Sequence, residues 1–519
     1  MEYYIRRKSK EISDNLRLSQ ILRKNLLTKE KKTLQYTDDD NNYIDYFLEI
    51  GVKPELFKKN FLYELSINEL NAKLKPEIIS KYPEINKKTI IIDNNELINQ
   101  IFPHGLNLVE TKEKPDPIFF TIMSDNHLYN VFYKYKYISC LLIYESISNY
   151  RKLYNLYKNE DKKPEEQKNC FYNNFYIPKC LCIASVHPCI NKFEEILKFL
   201  YEFIINNKIS EIYLNQVIEE IVMKIPKIPQ GYKMVLLNFE KKSIDLTEKK
   251  LNEYPTIHID LSRLFALFKT NTILEILKFI LYEGKLIFFS PKIYDLTDII
   301  MSFLFLISPF EYQNQVISVL PKDKYFYIES DSPYIFGINK RYNKNFFIDN
   351  KLDLKQKVIC IVDLEEKISE VIPSKYNIKD YPEIPRNLKE LLENSIQQYY
   401  KYLINSATKN LENVNNTDTE NEIIEYKLKE QNEEYQLIFN KFMITLLSDY
   451  PKYLFKSKPI KENKENKDNE NDINNMIDIT SYINSFNASD RDFYKIFFKT
   501  KLFKEFINKR CNPKIVKKK

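Results

Sequence analysis

The segment from Asn271 to Phe310 constrains the fold more than any other part of the chain. It contains an apolar helical pattern, the pair Glu283-Gly284, a short apolar run at Leu286–Phe289 and a second apolar helical pattern. That order is typical of an α/β domain whose sheet is covered on both faces. Because the chain has only five glycines, the one at this junction is predicted to be the C-cap of the first helix.

The length and the hydrophobic content predict several folded domains. A chain of 519 residues is too long for one core, and 44% of its residues are hydrophobic. We therefore expect roughly two to four domains. The net charge of +7 is a small difference between 79 basic and 72 acidic residues, which are mixed along the chain. Nucleic-acid-binding proteins concentrate basic residues on one folded face, so we expect no nucleic-acid partner.

No segment has the pattern of a signal peptide or a membrane span. The first residues lack the apolar region that a signal peptide requires. The most apolar candidate, Ile299–Phe310, is well short of the ~20 residues that cross a bilayer. Seven cysteines, an odd number in a large chain, indicate reduced thiols. The sequence predicts a soluble, cytoplasmic protein without a transmembrane segment.

Apolar and charged stretches divide the chain into two α/β units and a helical end. In the first unit, an alternating strand is predicted to end at Tyr137 and a helix to begin at Ile138. The second unit is predicted to contain a mainly parallel sheet. The predicted parts are a basic N-terminal extension (1–42), the first unit (43–150), a charged linker (151–173), the second unit (174–385), a helical region (386–511) and a basic tail (512–519).

Two inserts in the helical region are rich in Asn, Glu and Lys, at about 406–434 and 459–475. Such segments bury too little apolar area to offset the entropy lost on ordering, so they are predicted to be disordered. Helices are predicted on either side of the second insert, at Ile438–Leu447 and from Ala488 to Arg510.

The chain has no phosphate-binding loop, zinc-protease motif or nucleophile elbow, and its four histidines are far apart. We therefore expect no cofactor and no covalent or metal active site. Asp363 ends a predicted strand, where acidic residues serve active sites in α/β folds, but the interpretation as a turn-forming residue is favoured.

One cysteine-rich segment has alternative interpretations. Cys180, Cys182, His187 and Cys189 lie within ten residues and have the side chains that ligate zinc. However, the first two cysteines alternate with apolar residues, as on one face of a strand, and the spacing is not that of a zinc ribbon. The favoured interpretation is a buried strand with structural cysteines.

Several short motifs follow one another in a characteristic order. In the first unit they are Tyr46–Val52, Pro76–Pro83, the turn Phe102–Gly105 and the paired strands of Pro117–Tyr137. In the second unit they are Pro178–Ser185, Tyr282–Ser290, Leu320-Pro321, Ser332–Ile338 and Val362–Leu364, and near the C-terminus Arg491–Phe506. Together they resemble the DENN-domain family, a module of upstream, central and downstream parts, over roughly 43–510 apart from the inserts.

Three positions depart from the family pattern. Ser124–His127 stands where the family has an Asp-x-x-Gly turn, Thr500-Lys501 where it has Thr-Gln, and Lys285 where it commonly has an arginine. These differences affect the chemistry of the surface more than the fold.

The resemblance implies a longin-like upstream lobe, a doubly wound α/β central lobe and a helical downstream region. Most characterised members are guanine nucleotide exchange factors for Rab-family small GTPases. It therefore implies a factor that promotes GDP release from a Rab in vesicle trafficking, cytoplasmic and peripherally associated with membranes through the GTPase. Such a factor binds the nucleotide-free GTPase better than the loaded one, and this difference is the whole of its catalysis.

Loops that follow the carboxyl ends of strands are the expected contact sites for the GTPase in such folds. Each candidate also fits an ordinary turn. The candidates are Asn126, His127, Ser185, His187, Pro188, Ser290 and Pro291.

Two alternatives to the exchange factor stay open. A DENN scaffold would bind a small GTPase without releasing its nucleotide. A folliculin-like GTPase-activating protein would need an arginine in the longin lobe to stabilise transition-state charge. Residues 43–150 contain no arginine, and Arg151 begins the linker, which argues against the activating role.

Overall fold

The computed structural model of the chain describes two compact units, Met1–His258 and Ile259–Lys519. No helix in the described part of the chain is long and apolar enough to span a membrane. The predicted extension 1–42, linker 151–173, insert 459–475 and tail 512–519 lie outside the described residues. Those residues are 43–53, 67–84, 90, 93–125, 135–147, 174–187, 189–207, 217–219, 221, 236–239, 242–245, 261–354, 357–372, 380–411, 432, 434–455 and 476–511.

The first unit is built on an antiparallel sheet. Its strands are β1 (Tyr46–Gly51), β2 (Glu77–Tyr82), β3 (Val109–Glu110), β4 (Ile118–Asp125), β5 (Tyr135–Ser146) and β6 (Phe175–Ser185). They pair in the order β4–β5–β6–β1–β2, and β3 pairs with β6. The helices are α1 (Ile67–Lys73), α2 (Asn94–Ile101) and α3 (Ile190–Asn207), and β7 (Leu236–Phe239) pairs with β8 (Lys242–Asp245).

The prediction of a helix from Ile138 is wrong, because this segment belongs to strand β5. The strand continues through that position to Ser146, paired with β4 on one side and β6 on the other. A continuous apolar run has no two-residue alternation, so its pattern does not distinguish a buried strand from a helix. Because β6 pairs with β5 and β1, it belongs to the sheet of the first compact unit, whereas the sequence places it in the second.

The two faces of β6 carry different side chains. Leu181 and Ile183 lie in a buried cluster with Phe47 and with Phe193 of α3. Cys180 and Cys182 alternate with them and are on the opposite face, where they are also fully buried. The α/β packing of this unit therefore buries β6 on both faces.

The second unit is built on a mainly parallel sheet, as the sequence predicts. Its order is β13–β12–β9–β11–β10, with only β13 antiparallel to its neighbour. The strands are β9 (Lys285–Phe289), β10 (Gln315–Ile317), β11 (Tyr334–Ile338), β12 (Ile359–Asp363) and β13 (Ile368–Ile372). The helices before the C-terminal region are α4 (Leu261–Leu267), α5 (Thr270–Leu281), α6 (Ile293–Leu306) and α7 (Phe346–Asp349), with a 3-10 helix at Lys322–Glu329.

Both faces of this sheet are covered, which confirms the prediction from 271–310. On one face Phe289 packs with Phe346 of α7 and Ile328 of the 3-10 helix. On the other, the ring of Phe288 lies 5.9 Å from that of Phe303 in α6. The central strand β9 is therefore an apolar run because neither of its faces meets water.

The turn between α5 and β9 differs from the prediction in one respect. Gly284 follows the helix, but the left-handed residue is Glu283, with φ of 53°. The amide of Gly284 donates to the Phe279 carbonyl at 2.7 Å and that of Glu283 to the Ile280 carbonyl at 3.0 Å. This is a Schellman motif with a glutamate at the position that glycine usually occupies. Gly284 is required for space, because a Cβ there would lie 2.9 Å from the Phe279 ring.

The described part of the C-terminal region is helical. α8 (Arg386–Leu411) continues six residues into the predicted insert, so residues 406–411 are helical rather than disordered, and residues 434–446 form a further helix. The predicted helix from Ala488 to Arg510 is two helices that break at 498–500. The last helices are α9 (Tyr450–Tyr453), α10 (Ile479–Ser485), α11 (Arg491–Phe497) and α12 (Lys501–Cys511).

Candidate functional site

The carboxyl ends of β9, β11 and β12 meet at one edge of the second unit's sheet. Phe289, the last residue of β9, is in register with Ile338 of β11 and Asp363 of β12. The loops that follow these three strands are therefore neighbours, with the β9 loop in the middle. In open parallel sheets this edge is where ligands and partners bind.

Hydrogen bonds of Ser290 hold the middle loop in its conformation. Its side chain is buried, and its hydroxyl accepts from the Lys292 amide at 3.1 Å. Its own amide donates to the Ile338 carbonyl at 3.2 Å, while the Asn339 amide group donates to its carbonyl at 3.0 Å. Pro291 and Lys292 follow and are exposed. Of the two predicted residues here, Ser290 holds the loop and Pro291 presents a surface.

Asp363 shapes the loop after β12. One of its carboxylate oxygens accepts from the Glu365 amide at 2.9 Å and from the Glu366 amide at 3.2 Å. These hydrogen bonds form an Asx-type turn. The interpretation of Asp363 as a turn-forming residue is confirmed.

An exposed ion pair connects the outer two loops. Arg341, three residues after β11, contacts Glu365, two residues after β12, at 2.8 Å. Their side chains are 75% and 39% exposed, so the pair contributes little to stability and is free to exchange partners. We call the exposed residues of the three loops the edge surface: Pro291, Lys292, Lys340, Arg341, Glu365 and Glu366.

Partly buried charges anchor the helix that follows the middle loop. Arg263 of α4 contacts Asp295 and, at 3.0 Å, Asp298, both in α6. Burial raises the pKa of the Asp295 carboxyl, while Arg263 and the nearby Lys292 ammonium oppose that rise. The guanidinium also lies 5.0 Å from the ring of Tyr294. These contacts fix the first turn of α6 beneath Pro291 and Lys292.

The predicted residues of the first unit have internal partners. The Ser185 hydroxyl donates to the Tyr43 carbonyl at 2.8 Å and accepts from the His187 amide at 3.0 Å. The His187 ring is buried and stacks on that of Tyr43, with centroids 5.9 Å apart. Ser185 and His187 thus fasten the end of β6 to the chain before β1. Asn126, His127 and Pro188 lie outside the described residues.

The favoured interpretation of the cysteine segment is confirmed, because Cys180 and Cys182 lie in the buried strand β6. Cys189 packs with Leu181 and Ile183, on the opposite face of β6 from Cys180 and Cys182. Instead, Cys140 of β5 joins those two, with its sulfur 3.7 Å from that of Cys182. Within the described residues this trio is the group of side chains close enough to share a metal ion.

Sequence reasoning missed Arg341, Glu365 and Cys140. The first two follow strands that were predicted, but their pairing depends on the order β12–β9–β11, which the chain order does not give. Cys140 lies in the segment that was predicted as a helix, so its register with Cys182 had no local signal.

Comparison with known proteins finds a match to one family model. The family model of the DENN (AEX-3) domain matches residues 176–367. That segment starts in β6 and ends in the turn between β12 and β13, so it contains all three loops of the edge surface.

Three curated relatives show similarity at low identity. DENN domain-containing protein 3 of Mus musculus is 21% identical over 61% of this chain. DENN domain and WD repeat-containing protein SCD1 of Arabidopsis thaliana is 23% identical over 43%. MAP kinase-activating death domain protein of Caenorhabditis elegans is 23% identical over 64%.

The chain spans only 24%, 18% and 26% of the length of these relatives, respectively. The similarity therefore concerns the shared domain and not the whole relatives. The mixed α/β architecture, with its large sheet content and packed helices, is consistent with that domain. Residues 176–367 of this chain match the DENN domain, the family that its motifs indicate.

Proposed function

We propose that this chain is a guanine nucleotide exchange factor for a Rab-family small GTPase. The single observation that supports this proposal most is the DENN match over 176–367, which includes every loop of the edge surface. DENN domains act on small GTPases in general, so the choice of partner class rests on the family. The choice of the edge surface rests on the geometry of the loops.

The edge surface has the properties expected of a contact site for a charged, mobile switch segment. Its charged side chains stand on loops that follow buried strands, and these strands hold the backbone of each loop in place. It presents Lys292, Lys340 and Arg341 beside Glu365 and Glu366, so it offers both signs of charge. The Arg341–Glu365 contact is exposed, and a partner that binds here can replace either member.

Exchange by such a surface needs no reactive group. The switch segments of a GTPase are ordered by phosphate and Mg²⁺ contacts, so a protein that holds them in another arrangement weakens nucleotide binding. Release is accelerated when the exchange factor binds the GTPase more tightly during nucleotide release than in the GDP-bound state. In this mechanism Ser290 and Asp363 position the loops, and Pro291, Lys292 and Arg341 contact the GTPase.

For the first unit, we propose that Asn126, His127 and Pro188 contact the same GTPase. Ser185 and His187 support the end of β6, because their polar groups bond within the unit. We also propose that the upstream part is a longin-like lobe, and that the protein works in the cytoplasm and reaches trafficking membranes peripherally, through the GTPase it binds.

The affinity of the chain for purified Rab proteins tests the proposal. Each Rab is measured in its nucleotide-free, GDP-bound and GTP-bound forms. For at least one Rab, we expect the chain to bind the nucleotide-free form roughly 100-fold more tightly than the GDP-bound form, a difference within the range of allosteric coupling. Equal affinity for both forms would identify a scaffold instead. Preference for the GTP form together with faster hydrolysis would identify a GTPase-activating protein.

Two charge-reversal variants, one of them a control, test the location of the GTPase contact site. We expect Arg341→Glu to weaken binding of the nucleotide-free Rab at least about tenfold, or about 1.4 kcal/mol. Arg386→Glu is the matched control, because Arg386 forms a similarly exposed ion pair with Glu390 on α8. If both variants bind as the wild type does, the GTPase contacts another surface.

A further inference from the structure

Three cysteine side chains converge in the core of the first unit. Cys140 of β5 and Cys182 of β6 are directly opposite in the antiparallel register, so their side chains are on the same face. Cys180 lies two residues before Cys182 and shares that face. The sulfur of Cys182 is 3.7 Å from that of Cys140 and 3.5 Å from that of Cys180. All three sulfurs lie within 4.8 Å of one another.

These separations suit a metal ion at the centre of the trio. Metal–sulfur bonds of about 2.3 Å place the sulfur ligands of one ion about 3.8–4.0 Å apart. The three thiols reach that arrangement by small side-chain adjustments, since each is held on a paired strand. Thiolate ligands select soft ions such as Cu(I) and Zn(II) over hard ones.

The number of ligands distinguishes between these two ions. Structural zinc sites are almost always closed by four protein ligands. In the described residues no histidine, carboxylate or further cysteine joins the trio within the same distance. Cu(I) is satisfied by three sulfur ligands in a plane, so the trio matches its coordination and not that of zinc.

The surroundings of the trio exclude water. Each cysteine is fully buried, and the residues opposite them in the sheet, Leu48 and Phe120, are apolar and buried. Binding of Cu(I) displaces the three thiol protons to solvent, because thiolates are the form of cysteine that ligates a metal.

We propose that Cys140, Cys180 and Cys182 form a three-sulfur binding site for a single Cu(I) ion that links β5 to β6. Because the three side chains have no exposed surface, the ion enters as the chain folds or when these strands open, and it leaves slowly. The copper site does not depend on nucleotide exchange, so the proposed function and the copper site are tested independently.

The full chain, purified from cells grown with added copper and kept reduced and free of oxygen, tests this site. We expect one copper per chain after dialysis against a Cu(I) chelator, and X-ray absorption showing only sulfur ligands. The unfolding midpoint in urea should be higher with copper than without it. Chain grown with added zinc should retain no zinc after the same dialysis.

Two variants make the test specific. Cys182→Ala should lose the copper, whereas Cys360→Ala should keep it, because Cys360 is an equally buried thiol in β12 of the other unit. Circular dichroism checks that both variants fold. If Cys182→Ala does not fold, the X-ray absorption spectrum of the wild type tests the proposal, because it shows whether sulfur atoms alone ligate the copper. Wild type that retains no copper, retains zinc instead, binds copper through nitrogen or oxygen, or keeps copper in a folded Cys182→Ala variant would overturn the proposal.

Discussion

Gly337 lies where two segments of the second unit come closest. It occupies the fourth position of β11, and its carbonyl accepts from the Leu320 amide at 2.7 Å. A Cβ at this position would overlap the carbonyl oxygen of Ser318, which is backbone and cannot turn away. Only glycine fits, and the close approach brings the chain after β10 against the strand that precedes the edge surface.

We therefore expect Gly337→Ala to destabilise the protein by at least about 1–3 kcal/mol, the usual cost of overpacking a core. Urea unfolding followed by circular dichroism measures the change. Gly51→Ala is the control, since a Cβ there would meet only side-chain atoms of Ile79 and Lys179, at 3.3 Å. An equal midpoint for the two variants would show that the backbone at Ser318 moves easily.

At the scale of elements, Glu283 connects two parts of the second unit that are far apart in sequence. Its carboxylate accepts from the backbone amides of Lys501 at 2.8 Å and Leu502 at 3.0 Å, the first residues of α12. The Thr500 hydroxyl accepts from the Phe503 amide at 3.2 Å in the same turn. A negative charge at a helix N-terminus is favourable, so one glutamate both ends α5 and caps α12.

This double role explains why the left-handed position holds a glutamate. We expect Glu283→Ala to lower the unfolding free energy by about 1–2 kcal/mol, because it leaves two helix amides without their acceptor. Glu283→Gln keeps one acceptor oxygen and should lose less. Amide hydrogen exchange in α12 should accelerate in the alanine variant, whereas exchange in α3 of the other unit should not change. Unchanged exchange in α12 would contradict the capping role.

The sequence predicted elements well where apolar patterns were local. The helix–strand–helix order of 271–310, the strand β6 and the parallel sheet all follow from short runs of apolar residues. The prediction failed at β5, because a strand buried on both faces has no alternation. It also missed the break at Thr500, because the cap comes from Glu283, more than 200 residues earlier in the chain.

At the scale of the whole molecule, the motifs indicated the family but not the site. Ser290 and Pro291 were predicted from their place after a strand, and the structure puts them in the middle loop of the edge surface. The flanking Arg341–Glu365 pair depends on which strands are neighbours, a property of the three-dimensional arrangement. Prediction of the residues that contact a partner therefore requires the register of the sheet, whereas prediction of the family does not.

The central claim is that the chain accelerates nucleotide exchange, and release of fluorescently labelled GDP from a panel of Rab proteins tests it most directly. With the full chain present, we expect at least one Rab to release GDP at least about tenfold faster, a barrier lowered by about 1.4 kcal/mol or more. The Arg341→Glu variant should lose most of that acceleration and the Arg386→Glu control should retain it. Stable binding of a Rab without faster release from any member of the panel would contradict the claim.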